Sequence, residues 1–247
     1  MIEAEHLAKR FGTVQAVRDV SFTAPDGRIT GLLGPNGAGK STTLRLLYAA
    51  LQPDSGEARI DGARVSLADA AVRQSLGVLP HGAGLYLHLS ARENIRYYGR
   101  LHGLRGAPLE SRISELLEIL ELGEVGNRKS QGFSQGQKVK VGIARALVHQ
   151  PRNLVLDEPT NGLDVMAIRS LRTTLRRLRD AGHCILFSSH VMQEVAALCD
   201  EVVIIARGEV VARGTPTALL QAAGTATLED AFVKAIENAA GSVEGLL

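Results

Sequence analysis

The chain has 247 residues, 45% of them hydrophobic and 22% charged, with a formal net charge of +2. This is an ordinary globular composition, long enough to bury roughly three quarters of the unfolded surface in one core with a lobe attached. The charge is too small to mark a nucleic-acid or acidic-membrane partner, and no apolar run approaches the ~18 residues that span a bilayer.

Along the chain, "MIEAEHLAKRF" lacks the apolar centre of a signal peptide, so secretion is not expected. "IEAEHLAKRF", "VQAVRDVSFTA" and later "GEARIDG" read as short strands between Gly and Asp turns, an antiparallel patch. "RITGLLG", "SLGVLP", "NLVLDEP", "HCILFSS" and "EVVIIA" are continuous apolar runs rather than alternating ones. That pattern suits strands covered on both faces of a mainly parallel sheet, and the helical patterns between them argue an α/β class.

Between Leu85 and Val148 the strand signal disappears. Ser90 followed three residues on by Glu93 is a capping box, and Leu109, Ile113, Leu116, Leu117 and Leu120 share one helical face. A helical lobe over about 82–150 is therefore expected, inserted in an α/β core over 1–225, with a C-terminal helix and tail over 226–247. Thr227 and Asp230 could cap that last helix, which carries Phe232 and Ile236 after a break at Gly224. The arginine-rich run "RSLRTTLRRLR" reads as a solvated helix face. Cys184 and Cys199 sit in apolar surroundings, so buried free thiols are expected before a disulfide or a metal site, which fits a reducing cytoplasm.

Gly34, Pro35, Asn36, Gly37, Ala38, Gly39, Lys40 and Ser41 match G-x-x-x-x-G-K-[ST] between a predicted strand and a predicted helix, with Thr42 next. Glycines let the backbone turn its N–H groups toward anionic oxygens, and the helix from Ser41 adds its positive end. Lys40 would reach the β- and γ-phosphates and the Ser41 hydroxyl would ligate Mg²⁺. "NLVLDEP" sets Asp157 and Glu158 at the carboxyl end of a strand, where ligands sit in open parallel sheets. Asp157 would hold the Mg²⁺ shell, and Glu158 would orient or deprotonate an attacking water. In "GFSQGQKVKVGIARAL", Ser134 with Gln137 is another capping box, which by itself specifies only a well-capped helix.

The order of phosphate loop, helical lobe, "FSQGQ", "LVLDEP", "GLD" and "SSH" resembles the ATP-binding cassette, the ATPase of ABC transporters, over nearly the whole chain. The family's signature is usually L-S-G-G-Q. Here Ser134, Gly136 and Gln137 are kept, while Phe133 and Gln135 stand in the first and third positions. The resemblance implies a P-loop NTPase core, ATP with Mg²⁺, and two cassettes paired head to tail, each signature facing the γ-phosphate held by the other subunit. It implies that Phe11 stacks on adenine, with a plain core phenylalanine as the alternative. His190 would contact the γ-phosphate and the water near Glu158, with a structural histidine at a strand end as the other reading. Asp164 would lie at the dimer interface.

One position departs. Where the family usually carries a glutamine after the strand "SLGVLP", this chain has His81. A neutral imidazole can accept from water or touch a metal and an imidazolium cannot, so His81 either keeps a weaker, pH-sensitive version of the role or points away.

The implied partners are a second cassette, expected as a homodimer, and separate transmembrane permease subunits, with Tyr86, Tyr97 and Tyr98 of the lobe as candidate contacts. The implied location is the cytoplasmic face of the inner membrane. "LPHGAGLYLHLSARENIRYYG" and the "TLEDAFV" tail resemble the ABC-2 export class, sodium-extruding cassettes among them. The alternative is a soluble mechanical ATPase acting on DNA or ribosomes. It finds no coiled-coil insertion and no second cassette in this sequence, and no nucleic-acid partner is expected.

Overall fold

The continuous apolar runs form strands buried along their length, as two-sided coverage requires. In the computed structural model, which describes residues 1–66, 69–82 and 84–244, β3 (Ile29–Leu33), β7 (Asn153–Asp157) and β8 (Cys184–Ser189) are buried at every residue. The last residues of the expected tail, 245–247, lie outside the described residues. The other strands are β1 (Ile2–Phe11), β2 (Val14–Ala24), β4 (Ser55–Ile60), β5 (Ala63–Arg64), β6 (Leu76–Leu79), β9 (Glu201–Ala206) and β10 (Glu209–Gly214). The helices are α1 (Lys40–Leu47), α2 (Ala70–Gln74), α3 (Ala91–Leu101), α4 (Gly106–Ile119), α5 (Gln135–Leu147), α6 (Val165–Asp180), α7 (Met192–Leu198), α8 (Pro216–Ala223) and α9 (Leu228–Glu244).

The strands make one sheet in the order β5-β4-β1-β2-β10-β9-β3-β8-β7-β6. From β9 to β6 every pairing is parallel, while β1, β2, β4 and β5 form the antiparallel region. The patch is larger than its turns suggested. β1 and β2 run 10 and 11 residues, and β2 joins β10 to make the sheet continuous. Neither β10 nor the small helices α2 and α7 is among the sequence-based expectations.

Period-2 alternation sends successive side chains to opposite faces. Leu154, Leu156, Ile185 and Phe187 enter the core shared with the helical lobe, and Val155, Cys184 and Leu186 enter the core under α1. Both cysteines are free and buried, and burial pushes the Cys184 thiol up to about 12.

The lobe holds α3, α4 and α5. Leu109, Ile113, Leu116, Leu117 and Leu120 are buried as the helical face predicts. α5 lies tight on the end of β6, since a Cβ on Gly142 would come within 2.5 Å of Leu79 Cδ1. The seam is extended by His102 and His149, whose rings stack with centroids 3.7 Å apart. Burial, then the neighbouring imidazole, pulls His149 down to about 4. The arginine-rich run is α6: Leu171, Leu175 and Leu178 face the core and Arg176 and Arg177 face solvent.

Both capping boxes form, at Ser90/Glu93 and at Ser134/Gln137. The chain entering α3 is fixed by Asn94, which is fully buried. Its amide nitrogen lies 3.0–3.3 Å from the carbonyls of Tyr86, Leu89 and Ser90 and from Ser130 Oγ, and its oxygen accepts from the Tyr86 N–H. Removing the amide strands several buried backbone groups. Asn94→Ala is expected to cost about 2–3 kcal/mol of unfolding free energy, read as a lower denaturant midpoint. An unchanged midpoint would show that the lobe does not depend on this hub.

Candidate nucleotide-binding site

The phosphate loop links β3 to α1, with Pro35, Asn36 and Gly37 exposed and Ala38 and Lys40 buried. Gly39 sits at φ +103°, and a Cβ there would come within 2.5 Å of the Ala16 carbonyl oxygen of β2. Only glycine lets the loop lie this close to the strand. The Ala38 carbonyl accepts from the Gly208 N–H in the β9–β10 turn, and the Gly208 carbonyl accepts from Arg18 of β2. The loop is therefore braced by two strands before any ligand binds. The first-turn N–H groups of α1 have no intrahelical partner, which suits an anion.

Lys40 is 5% exposed. Its ammonium donates to the Gly34 carbonyl at 2.7 Å and the Pro35 carbonyl at 3.1 Å, and stands 3.8 Å from Glu158 Oε1. Burial lowers the Lys40 pKa, and the carboxylates of Glu158 and Asp157 oppose that shift.

Asp157 and Glu158 close β7. Asp157 Oδ1 accepts from Ser188 Oγ at 2.6 Å and from Ser41 Oγ at 3.2 Å. Ser188 Oγ in turn accepts the Glu158 N–H at 3.0 Å. Glu158 has φ +49°, a conformation a non-glycine residue holds only when its surroundings impose it. Its carboxylate lies between Lys40 and His190, whose Nδ1 is 3.3 Å from Oε1. Sequence-predicted residues from three strand ends thus meet in one network.

The parallel ladder pairs Asp157 with Ser188, so the hydroxyl is carried to the carboxylate by register. Ser188 is the residue that sequence reasoning missed, although "SSH" ends the same kind of apolar strand as "LDE".

Next to this network, a cleft of about 330 Å³ opens between the strand ends and α5. His81, Asp157 and Glu158 line it, and so do Gln135 and Lys138 of α5. His81 is exposed at its edge.

Ser134, which caps α5, is on the surface together with Gln135. Ser134 Oγ accepts the Gln137 N–H at 3.2 Å, and the Gln137 side chain accepts the Ser134 N–H at 3.0 Å. Gly136 is half-buried against Ala167 of α6. Phe133 is buried in the core and anchors the motif from below. Asp164 caps α6 by accepting from the Ala167 N–H at 2.8 Å, and the two residues after it, Val165 and Met166, are 79% and 71% exposed. Phe11 is half-exposed at the β1–β2 turn, with Lys9 Nζ 5.8 Å from its ring centroid. The signature residues and Phe11 form no direct hydrogen bond with the Lys40–Glu158 network. Tyr86 and Tyr97 are exposed, whereas Tyr98 packs against the core.

Ser41 and Asp157 offer hard oxygens 3.2 Å apart and suit Mg²⁺, which takes one or two carboxylate or hydroxyl ligands and completes its shell from phosphate and water. Among the described residues no cluster of three or more His, Cys, Asp or Glu side chains is placed to hold a metal ion by itself.

The ABC transporter family model matches residues 17–161. The chain is 41% identical to the ABC transporter ATP-binding protein NatA of Bacillus subtilis, over 94% of this chain and 97% of that one. It is 36% identical to the linearmycin resistance ATP-binding protein LnrL of the same organism, over 97% and 77% of the two chains. It is 39% identical to the Nod factor export ATP-binding protein I of Burkholderia lata, over 89% and 72%. A solved ATP-binding subunit of an ABC transporter superposes with a TM-score of 0.84 at 31% identity, covering 96% of this chain and 99% of that one.

Ser188→Ala would leave the Glu158 N–H without its acceptor and remove one donor from Asp157. A loss of about 1–2 kcal/mol in unfolding free energy is expected by denaturant titration. A variant as stable as the parent would mean that water replaces the hydroxyl at no cost.

Proposed function

The chain belongs to the ABC transporter family as an ATP-binding subunit of the exporter type, and from that premise we propose how its residues bind and hydrolyse ATP. The loop from Gly34 to Gly39 and the first turn of α1, through Thr42, take the β- and γ-phosphates with backbone N–H groups. Lys40 exchanges its carbonyl partners for phosphate oxygens. Phe11 offers its exposed ring to the adenine.

Ser41 and Asp157 would hold Mg²⁺, which would neutralise charge on the phosphate oxygens. Glu158 is the base or orienting group for water, its carboxylate aimed by Lys40 on one side and His190 on the other. His190 reaches the γ-phosphate from the same side. His81, at the edge of the cleft that Glu158 lines, accepts a hydrogen bond from the same water in its neutral form.

The reading of a head-to-tail pair rests on the exposure of the α5 end. Ser134 and Gln135, at the start of α5, lie on the surface, as groups meant for a neighbour's γ-phosphate must. The exposed Val165 and Met166 beyond Asp164 supply apolar area on the same face. Two copies closing on two nucleotides convert binding into motion, and hydrolysis releases it. Among the described residues no helix is long and apolar enough to cross a membrane. From family membership, this reading delivers the motion to separate permease chains at the cytoplasmic side, and the cargo is met by those chains. The helical lobe, with Tyr86 and Tyr97 exposed, is the contact this reading assigns to them. The observation that carries the proposal is the convergence of Lys40, Ser41, Asp157, Glu158, Ser188 and His190 through contacts of 2.6–3.8 Å.

Glu158→Gln keeps the shape of the site and removes the proton acceptor. It should retain ATP binding while steady-state hydrolysis falls by roughly a hundredfold or more. Hydrolysis close to the parent rate would place water activation on another residue.

A further inference from the structure

We propose that Arg145 is a positioning residue for hydrolysis, holding the loop that carries His81 against the helix whose first turn lines the same cleft. The inference rests on the reading above, in which His81 acts beside Glu158.

Arg145 is in the last turns of α5, at the opposite end of that helix from Ser134. It is 8% exposed. Its Nη1 donates to the Gly84 carbonyl at 3.0 Å, and its guanidinium carbon stands 3.7 Å from the Tyr98 ring centroid on α3. Its Nε is buried with no hydrogen-bond partner. A buried guanidinium secured by the Gly84 carbonyl and by Tyr98 is expensive to keep, and core packing alone would be met by an aliphatic side chain of similar length. Tyr98 is itself edge-on to Tyr97, and Tyr97 to Tyr86, at centroid separations of 5.7 and 5.1 Å. Tyr86 follows Gly84 on the same loop, so the loop is clasped at both positions from α3 and α5.

The spacing along α5 gives the clasp a direction. Gln135, Lys138 and Val139 line the cleft with His81, Gly142 touches Leu79 at the end of β6, and Arg145 holds Gly84. Residues separated by three or four share one helical face. That face therefore meets the chain at Leu79 before His81 and at Gly84 after it, and His81 lies along the chain between the Gly142 contact and the Arg145 anchor. Where α5 goes, the His81 loop follows.

The test compares full-length protein carrying Arg145→Lys, His81→Ala or both. Lysine keeps the charge and loses the planar stack and fork. Arg145→Lys should lower kcat by roughly tenfold with KM for ATP within about a factor of two, because a misplaced loop affects turnover more than binding. In the His81→Ala background the same substitution should have no further effect. Equal losses in both backgrounds, or a change confined to KM, would overturn the inference. Tyr98→Leu, which removes only the ring platform, should show the same dependence on His81 at smaller amplitude, and serves if Arg145→Lys folds poorly. Hydrogen exchange reads the anchor without turnover: amides of residues 84–87 should exchange faster in Arg145→Lys, and unchanged exchange there would refute the clasp. A parent protein with no ATPase activity would instead count against the proposed function, with the exchange result still deciding the clasp.

Discussion

The bonds joining Ser41, Asp157, Ser188 and the Glu158 N–H tie the start of α1, which follows β3, to the ends of β7 and β8, and the site depends on that tie. It exists because the three strands are parallel neighbours with fixed register, Leu32 and Asp157 both opposite Ser188. A slip of one residue would send Asp157 to the other face of the sheet. The fully buried strands resist such a slip, since their apolar side chains on either face fill one of two cores. Burial of the strands thus sets the positions of the carboxylates, and the left-handed backbone at Glu158 is the local cost, borne by the Ser188 hydroxyl and the flanking Lys40 and His190.

The second organising element is α5. Its capped start presents Ser134 to the surface, its middle lies against β6 without space for a side chain at Gly142, and its last turns anchor the loop after β6. One rigid rod therefore touches both halves of the proposed mechanism, the part offered to a neighbour and the part beside the attacking water. The helical lobe is more than an insertion: its hub at Asn94 and the His102–His149 stack hold α3 and α5 to the same strand edge.

Much of this was legible in the sequence where the signal is local. The glycine spacing of the phosphate loop, the Ser-x-x-Glu and Ser-x-x-Gln caps and the Leu109–Leu120 face each encode geometry within a few residues, and each forms as read. The turn Asp61-Gly62, with both residues at positive φ, closes β4 and β5 as its composition suggests. The missed strand β10 follows a similar turn, Arg207-Gly208, and "RG" between apolar runs was the available clue. Ser188 and Arg145 were not legible, because their partners lie 31 and 61 residues away and are brought close only by strand register and helix packing. Phe133 shows the reverse case: a motif position whose side chain serves the core, which no motif spacing reveals.

The central claim is that each ATP is shared, gripped by Lys40 of one copy and by the Ser134 end of α5 of another. Mixing two disabled proteins tests it directly. Lys40→Ala spoils the phosphate loop and Ser134→Glu sets a negative charge against the γ-phosphate, so each alone should be inactive. A mixed pair places the sound loop of one copy against the sound α5 end of the other, and hydrolysis should return on mixing. A mixture as inactive as its components would mean that both elements serve the same copy's nucleotide, and the shared site would have to be abandoned.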